Sequence, residues 1–314
     1  MRIASDIGGT FTDLVYHDER TGELGLAKAS TTPDDLARGV LETIERARVD
    51  AAGTEFFVHG STVIINALTE RTGARTGLIT TRGFRDVLEI GRANRPDIYN
   101  FYFRKPEPFV PRHLRLEVRE RMSHKGEVLE PLVEEDVRQA VRRLKQEGIE
   151  AIAICFLHSY ANATHEQRAL EIAREEAPDL AITASCDVTR QWREYERTNT
   201  AVLNAYVQPA ASRYLGTLEQ SLAQRGMRPE TLHVMQSNGG TATFQQGKST
   251  PIRLVESGPV AGVIGALAIG RLVGEENIIS LDIGGTTAKS SLVQRGVVRT
   301  TTEYKIEWTP TSPG

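Results

Sequence analysis

Ile3-Ala4-Ser5-Asp6-Ile7-Gly8-Gly9-Thr10, near the start of the chain, returns at Ile279-Ser280-Leu281-Asp282-Ile283-Gly284-Gly285-Thr286. In each copy a strand-forming run ends in an aspartate, then two glycines, then a hydroxyl residue. The pattern predicts a strand that delivers a carboxylate to its C-terminal end, followed by a turn whose glycines leave backbone N–H groups bare. Such N–H groups and the threonine hydroxyl suit phosphate oxygens, and the aspartate suits Mg²⁺, directly or through water. One Asp-x-Gly-Gly alone is also ordinary hairpin chemistry. Two copies far apart in sequence point to two similar half-structures facing one nucleotide.

Working outward, strands and helices alternate. Residues 2–7, 13–16 and 25–29 read as strands joined by glycine turns, and Leu36, Val40, Ile44 and Ala47 line one face of a helix. Further strands are predicted at 56–58, 76–80, 151–156, 180–184 and 231–235, with paired strands within 115–128. Helices are predicted after Thr62, over 83–90, around Val137, Val141 and Leu144, and over 164–177, 194–223 and 257–273. Residues 92–113, rich in Pro, Arg and aromatics, read as a long ordered loop. This alternation predicts an α/β fold with mainly parallel sheets.

At 314 residues the chain is long enough for two domains. Hydrophobic residues make up 39% and charged residues 25%, with net charge −3 and the signs interspersed. That balance carries no footprint of nucleic-acid or anionic-membrane binding. Cys155 and Cys186 lie in strand-like settings without CxxC spacing, which suits reduced, buried thiols. With no signal peptide or membrane-length apolar stretch, a cytoplasmic protein is expected. The turn-like tail 308–314 has no structural stop, so the chain reads as cut short.

Beyond the first turn, Asp6-Ile7-Gly8-Gly9-Thr10-Phe11-Thr12-Asp13 resembles the opening of the hydantoinase A/5-oxoprolinase family. Other phrases resemble it in the same order: His59-Gly60-Ser61-Thr62, Gly91-Arg92-Ala93-Asn94-Arg95-Pro96, Glu194-Tyr195-Glu196-Arg197-Thr198, Met235-Gln236-Ser237-Asn238-Gly239-Gly240 and Glu256-Ser257-Gly258-Pro259. The resemblance implies an acetate/sugar kinase–Hsp70–actin-like (ribonuclease H-like) fold, truncated here in its second domain. It divides the chain into an N-terminal domain, 1–185, and the incomplete start of a hydantoinase A domain, 186–314. It implies ATP and Mg²⁺ as cofactors, with lobes that close by hinge motion. It also implies a hydantoinase B-type partner subunit and a substrate carbonyl oxygen that becomes phosphorylated. The adenosine-binding turn is expected past residue 314.

On that reading Asp6 and Asp282 are the catalytic and Mg²⁺-ordering carboxylates. Gly8, Gly9, Thr10 and Thr12 in the first turn, and Gly284, Gly285, Thr286 and Thr287 in the second, bind phosphate. Asp13 caps the turn or orders water, and Lys289 makes a charge pair, lies within a buried strand or touches phosphate. His59 is either a satisfied structural histidine or a substrate and acid–base contact. Arg92, Asn94 and Arg95, with Asp97, either neutralise an anionic substrate or form an ion-paired surface loop. Asn238 belongs either to the substrate side of the cleft or to a plain Asn-Gly turn. The small-residue helix 257–273 resembles the superfamily's hinge helix, or is a tightly packed core helix. Tyr195-Glu196-Arg197 begins an amphipathic helix.

Three functions compete. The first is ATP-dependent opening of a cyclic amide such as 5-oxoproline or N-methylhydantoin. The second is ATP-dependent carboxylation of a ketone such as acetone or acetophenone. The third is a nucleotide-driven protein-binding ATPase.

Overall fold

The computed structural model describes residues 1–32, 34–92, 99–283 and 288–301. The chain opens with β1 (Arg2–Ile7), β2 (Phe11–Asp18), β3 (Glu23–Ser30), α1 (Leu36–Ala47), β4 (Phe56–Ser61) and α2 (Val63–Thr69). It continues through β5 (Thr76–Thr81), α3 (Val87–Ile90), β6 (Arg115–Val118), β7 (Arg121–Met122), β8 (Val128–Glu130) and α4 (Glu134–Gln146). Next come β9 (Ala151–Cys155), α5 (Thr164–Glu176), β10 (Ala181–Ala184), α6 (Ser185–Val188) and the long α7 (Glu194–Ala223). The last described elements are β11 (Leu232–Met235), β12 (Thr241–Thr243), α8 (Phe244–Ser249), α9 (Ser257–Val273), β13 (Ile278–Ile283), β14 (Ala288–Gln294) and β15 (Val297–Val298). Among the described residues no helix is long and apolar enough to cross a membrane.

This α/β chain gathers into two compact units. One holds Met1–Glu70 and the described residues from Ala211 on, and the other holds Arg71–Ala210. The units therefore divide the chain differently from the sequence segments 1–185 and 186–314, because both aspartate-bearing strands, β1 and β13, fall in the first unit.

The second unit is built on a four-stranded, all-parallel sheet in the order β10-β9-β5-β6. Every residue of β5 and β9 is buried, and β9 accordingly reads as a short apolar run without alternation. Helix α4 lays Val137, Val141 and Leu144 against the core, and Leu144 sits so close that a Cβ at Gly77 would lie 2.7 Å from it. Strand β6 joins β5 in parallel, while β7 pairs with β8, so the strands within 115–128 do not all pair with one another. The segment between β5 and β6 is long enough for a parallel crossover, whereas Gly126, at φ +84°, closes a tight hairpin. The helix expected over 83–90 shrinks to α3, because Gly83 turns the chain at φ +90°.

Arg197, at the start of α7, is a core residue. Its guanidinium donates to Ser159 Oγ, to Ser185 Oγ at 2.8 Å and to the Phe156 carbonyl at 2.8 Å. Glu166 lies 3.7 Å away, equally buried, and accepts from Phe156 N at 2.8 Å and Cys186 N at 2.7 Å. The two charges and their donors tie the ends of β9 and β10 to α5 and α7. A buried pair tied in this way is costly to break one side at a time.

The first unit carries a six-stranded sheet in the order β12-β11-β4-β1-β2-β3. It is mixed rather than mainly parallel: β1 runs parallel to β4 and β4 to β11, but β1-β2, β2-β3 and β11-β12 are antiparallel. Three residues join β1 to β2, a span that permits only an antiparallel neighbour. Helix α1 covers this sheet so closely that a Cβ at Gly39 would stand 2.5 Å from Thr12 Oγ1. Strands β13, β14 and β15 form a separate antiparallel sheet.

Candidate functional site

The parallel pairing of β1 with β4 sets Asp6 directly beside Gly60. A Cβ on Gly60 would lie 2.6 Å from Asp6 Oδ1, and a Cβ on Gly258, in the first turn of α9, 3.0 Å from the same oxygen. The carboxylate therefore occupies a notch that two absent side chains leave open. It keeps contact with solvent yet is crowded by the surrounding protein. That partial desolvation, followed by the negative charges of Asp13 and Asp282, holds its pKa above the ordinary carboxylate range. Asp6 and Asp282, the repeated aspartates of the two motifs, thus lie within each other's field.

Around the first turn the predicted phosphate ligands separate. Gly8 N donates to the Phe11 carbonyl at 2.9 Å, which closes the turn. At the tip, Gly9 and Thr10 are exposed, and neither N–H has an acceptor among the described residues. Thr12 is turned the other way: it is fully buried, with Oγ1 3.1 Å from Thr31 Oγ1. Thr31 Oγ1 in turn donates to the Gly8 carbonyl at 2.9 Å, so the pair braces the turn from below. Asp13 is ion-paired with Lys28 at 2.7 Å.

In the second motif Asp282 sits on β13 opposite Lys289 of β14. Lys289 reaches instead to Glu256, the residue that caps α9. Gly284, Gly285, Thr286 and Thr287 lie outside the described residues, as do Asn94 and Arg95.

His59 is buried, with Nδ1 2.7 Å from Ser5 Oγ and Nε2 2.5 Å from Tyr214 Oη. Burial pushes its pKa down to about 3, so the ring is neutral at physiological pH and both nitrogens are engaged within the protein. Tyr214 is held above its usual range, first by burial and then by the charge of Asp6. Asn238 is in the turn between β11 and β12, where its Oδ1 accepts from Gly240 N at 2.9 Å and Gly239 takes φ +87°. Arg92 is ion-paired with Glu196, within the second unit.

Among the described residues no group of three or more His, Cys, Asp or Glu side chains is gathered to hold a metal by itself. Mg²⁺ at a nucleotide site needs less: one or two carboxylates, with phosphate oxygens and water completing the octahedron. Two aspartates, Asp282 and an Asp6 that is set in a backbone notch and feels its charge, fit that requirement. Sequence reasoning missed Gly60, Gly258 and Glu256. Their parts depend on chain segments brought together from far apart, and only the family phrases containing them gave any signal.

The family description "Hydantoinase/oxoprolinase N-terminal region" matches residues 2–177, and "Hydantoinase/oxoprolinase" matches residues 197–312. The acetophenone carboxylase gamma subunit of Aromatoleum aromaticum is 36% identical over 318 residues, covering 94% of this chain and 42% of the relative. The nucleotide-free structure of an acetone carboxylase, described with the mechanism of ATP-dependent acetone carboxylation, superposes with a TM-score of 0.85 at 31% identity. It covers 94% of this chain and 44% of that one. The ATP-dependent caprolactamase of Pseudomonas jessenii superposes with a TM-score of 0.82 at 33% identity, covering 93% of this chain and 43% of that one. The chain thus spans less than half the length of these relatives.

Proposed function

The chain belongs to the hydantoinase/oxoprolinase family, and we propose that it forms the nucleotide-binding part of a subunit that uses ATP to phosphorylate the carbonyl oxygen of a cyclic amide, leading to ring opening. The observation that carries the reading is the placement of Asp6 and Asp282, from the two repeated motifs, within one unit and within each other's field. The open amides of Gly9 and Thr10 would receive phosphate oxygens, and Thr12 would hold that turn in shape from beneath. Gly284, Gly285, Thr286 and Thr287 repeat the first turn's chemistry and are assigned the same task. Asp6 and Asp282 would hold Mg²⁺, whose charge offsets that developing on the transferred phosphoryl group. Gly60 and Gly258 would fix where the Asp6 carboxylate stands. The mixed sheet and the repeated Asp-Ile-Gly-Gly-Thr motif favour the acetate/sugar kinase–Hsp70–actin-like fold. A hydantoinase B-type subunit is the proposed partner.

A second reading, an ATP-dependent ketone carboxylase subunit, is favoured by the 36% identity to the acetophenone carboxylase gamma subunit and the likeness to acetone carboxylase. The phosphorylating half would serve both reactions, so the substrate decides. The test is ADP release by the full-length protein with its co-encoded partner subunit. The panel is 5-oxoproline, hydantoins, N-methylhydantoin and caprolactam, then acetone and acetophenone with bicarbonate. Stimulation by a cyclic amide supports the first reading, and stimulation by a ketone transfers the protein to the second. Stimulation by a protein and by no small molecule would overturn both in favour of a protein-gripping ATPase.

A further inference from the structure

In an antiparallel pair, residues directly opposite point to the same face with their Cβ atoms about 5 Å apart, so an aspartate facing a lysine ordinarily makes a cross-strand ion pair. Asp282 and Lys289 stand in that relation. The lysine nevertheless turns to Glu256, and the Asp282 carboxylate has no cationic partner among the described residues. The Lys289–Glu256 pair is well sheltered, with side-chain exposures of 29% and 14%. Glu256 itself adopts φ +62°, left-handed backbone that a non-glycine residue takes only where its surroundings impose it. That conformation starts α9, whose second residue, Gly258, walls the notch around Asp6.

We infer that Glu256 is a positioning residue that draws Lys289 away from Asp282, so that the Asp282 carboxylate stays available to a divalent cation. The inference rests on the nucleotide-site reading above. Without Glu256 the ammonium is left facing the carboxylate across the strand pair, Asp282, and would compete there with the cation. Neutralising the lysine should then undo the damage. A plain structural salt bridge behaves differently at the lysine, since removing Lys289 alone would then do harm comparable to removing Glu256.

The test uses the full-length enzyme with its partner subunit, titrated with Mg²⁺ in the presence of a non-hydrolysable ATP analogue, with analogue binding followed by calorimetry. Glu256→Gln should raise the half-saturating Mg²⁺ concentration about three- to tenfold. The double variant Glu256→Gln/Lys289→Met should return it to within twofold of wild type. Lys289→Met alone should bind Mg²⁺ at the wild-type concentration or below, and this variant carries the test if Glu256→Gln melts below the assay temperature. A double variant that keeps the defect, or a Lys289→Met protein that needs more Mg²⁺, overturns the inference while leaving the nucleotide site in place. Wild-type binding of the analogue that is indifferent to Mg²⁺ overturns both.

Discussion

Gly60→Ala puts the notch around Asp6 to a direct test. The new methyl carbon would stand 2.6 Å from Asp6 Oδ1, whereas ordinary contacts begin at 3.4 Å. The carboxylate must therefore retreat by about 0.8 Å unless a strand moves. Gly258 lines the same notch, where an added Cβ would lie 3.0 Å from the same oxygen. Misplacing a positioning group by about 1 Å costs about 10²-fold in rate. Substrate-stimulated ADP release by the full-length enzyme should therefore fall by roughly 30- to 100-fold. Crowding of this kind costs about 1–3 kcal/mol of stability, read from urea unfolding. Gly262→Ala on α9 is the matched control, because nothing lies within 4 Å of its added carbon. It should gain up to about 1 kcal/mol from helix propensity and leave turnover unchanged. A Gly60→Ala enzyme that turns over within twofold of wild type, with the control behaving as stated, would refute the notch.

Three further outcomes follow from the buried groups. His59 titrates near 3 in the folded protein against an ordinary 6.5, so the folded state refuses a proton that the unfolded chain accepts. Stability is full above pH 6.5 and falls as the pH drops from 6.5 toward 3, by about 1.4 kcal/mol per pH unit. His59→Gln should flatten that limb in urea melts between pH 4.5 and 7, and an unchanged slope counts against the assignment. Asp6 has the reverse sign: its raised pKa means that the carboxylate opposes folding above its ordinary value of 3.8 and ceases to below it. Asp6→Asn should accordingly melt higher than wild type at pH 7, converge with it in acid, and lose Mg²⁺-dependent nucleotide binding; equal melting at pH 7 contradicts the desolvation and repulsion at Asp6. Arg197→Met strands the buried Glu166 and should cost about 3–5 kcal/mol. Adding Glu166→Gln should cost about 1–3 kcal/mol less than the sum of the singles, and a single-variant loss under about 1 kcal/mol would show that the pair carries no such weight.

Local features of the fold were legible because they are written locally. The apolar run of β9, the 3.6-residue spacing of α4 and the glycine turn after Asp6 each declare themselves within a dozen residues. Partnership was not. That β6 would join β5 rather than a neighbouring strand depends on a crossover of more than thirty residues, and nothing in Arg115–Val118 encodes it. Thr12 and Gly9 are three residues apart, yet Thr12, already in β2, is fully buried under α1 and Gly9 is open to solvent, a distinction set by the pleat and by Gly39. Arg197 has the composition of an exposed helix start, and partners distant in sequence, Phe156, Ser159, Glu166 and Ser185, make it a core residue. At the candidate site the aspartates could be read from their repeat. The glycines that hold Asp6 and the glutamate that diverts Lys289 could not, because each acts on a residue distant in sequence.

The discontinuity of the first unit has a consequence for synthesis. Strands β1 to β4 leave the ribosome first, but β4 pairs along its other edge with β11, at Leu232–Met235. The whole of Arg71–Ala210 is translated in between. At about 5–20 residues per second that interval lasts roughly 7–28 s, long enough for the contiguous second unit to fold on its own. Throughout it the nascent sheet presents an unpaired edge of Phe57, Val58 and His59, the kind of template that other chains can pair with. Expression yield should therefore respond to translation speed between residues 71 and 231, and to chaperones that cover strand edges, more than to substitutions that merely stabilise the finished fold.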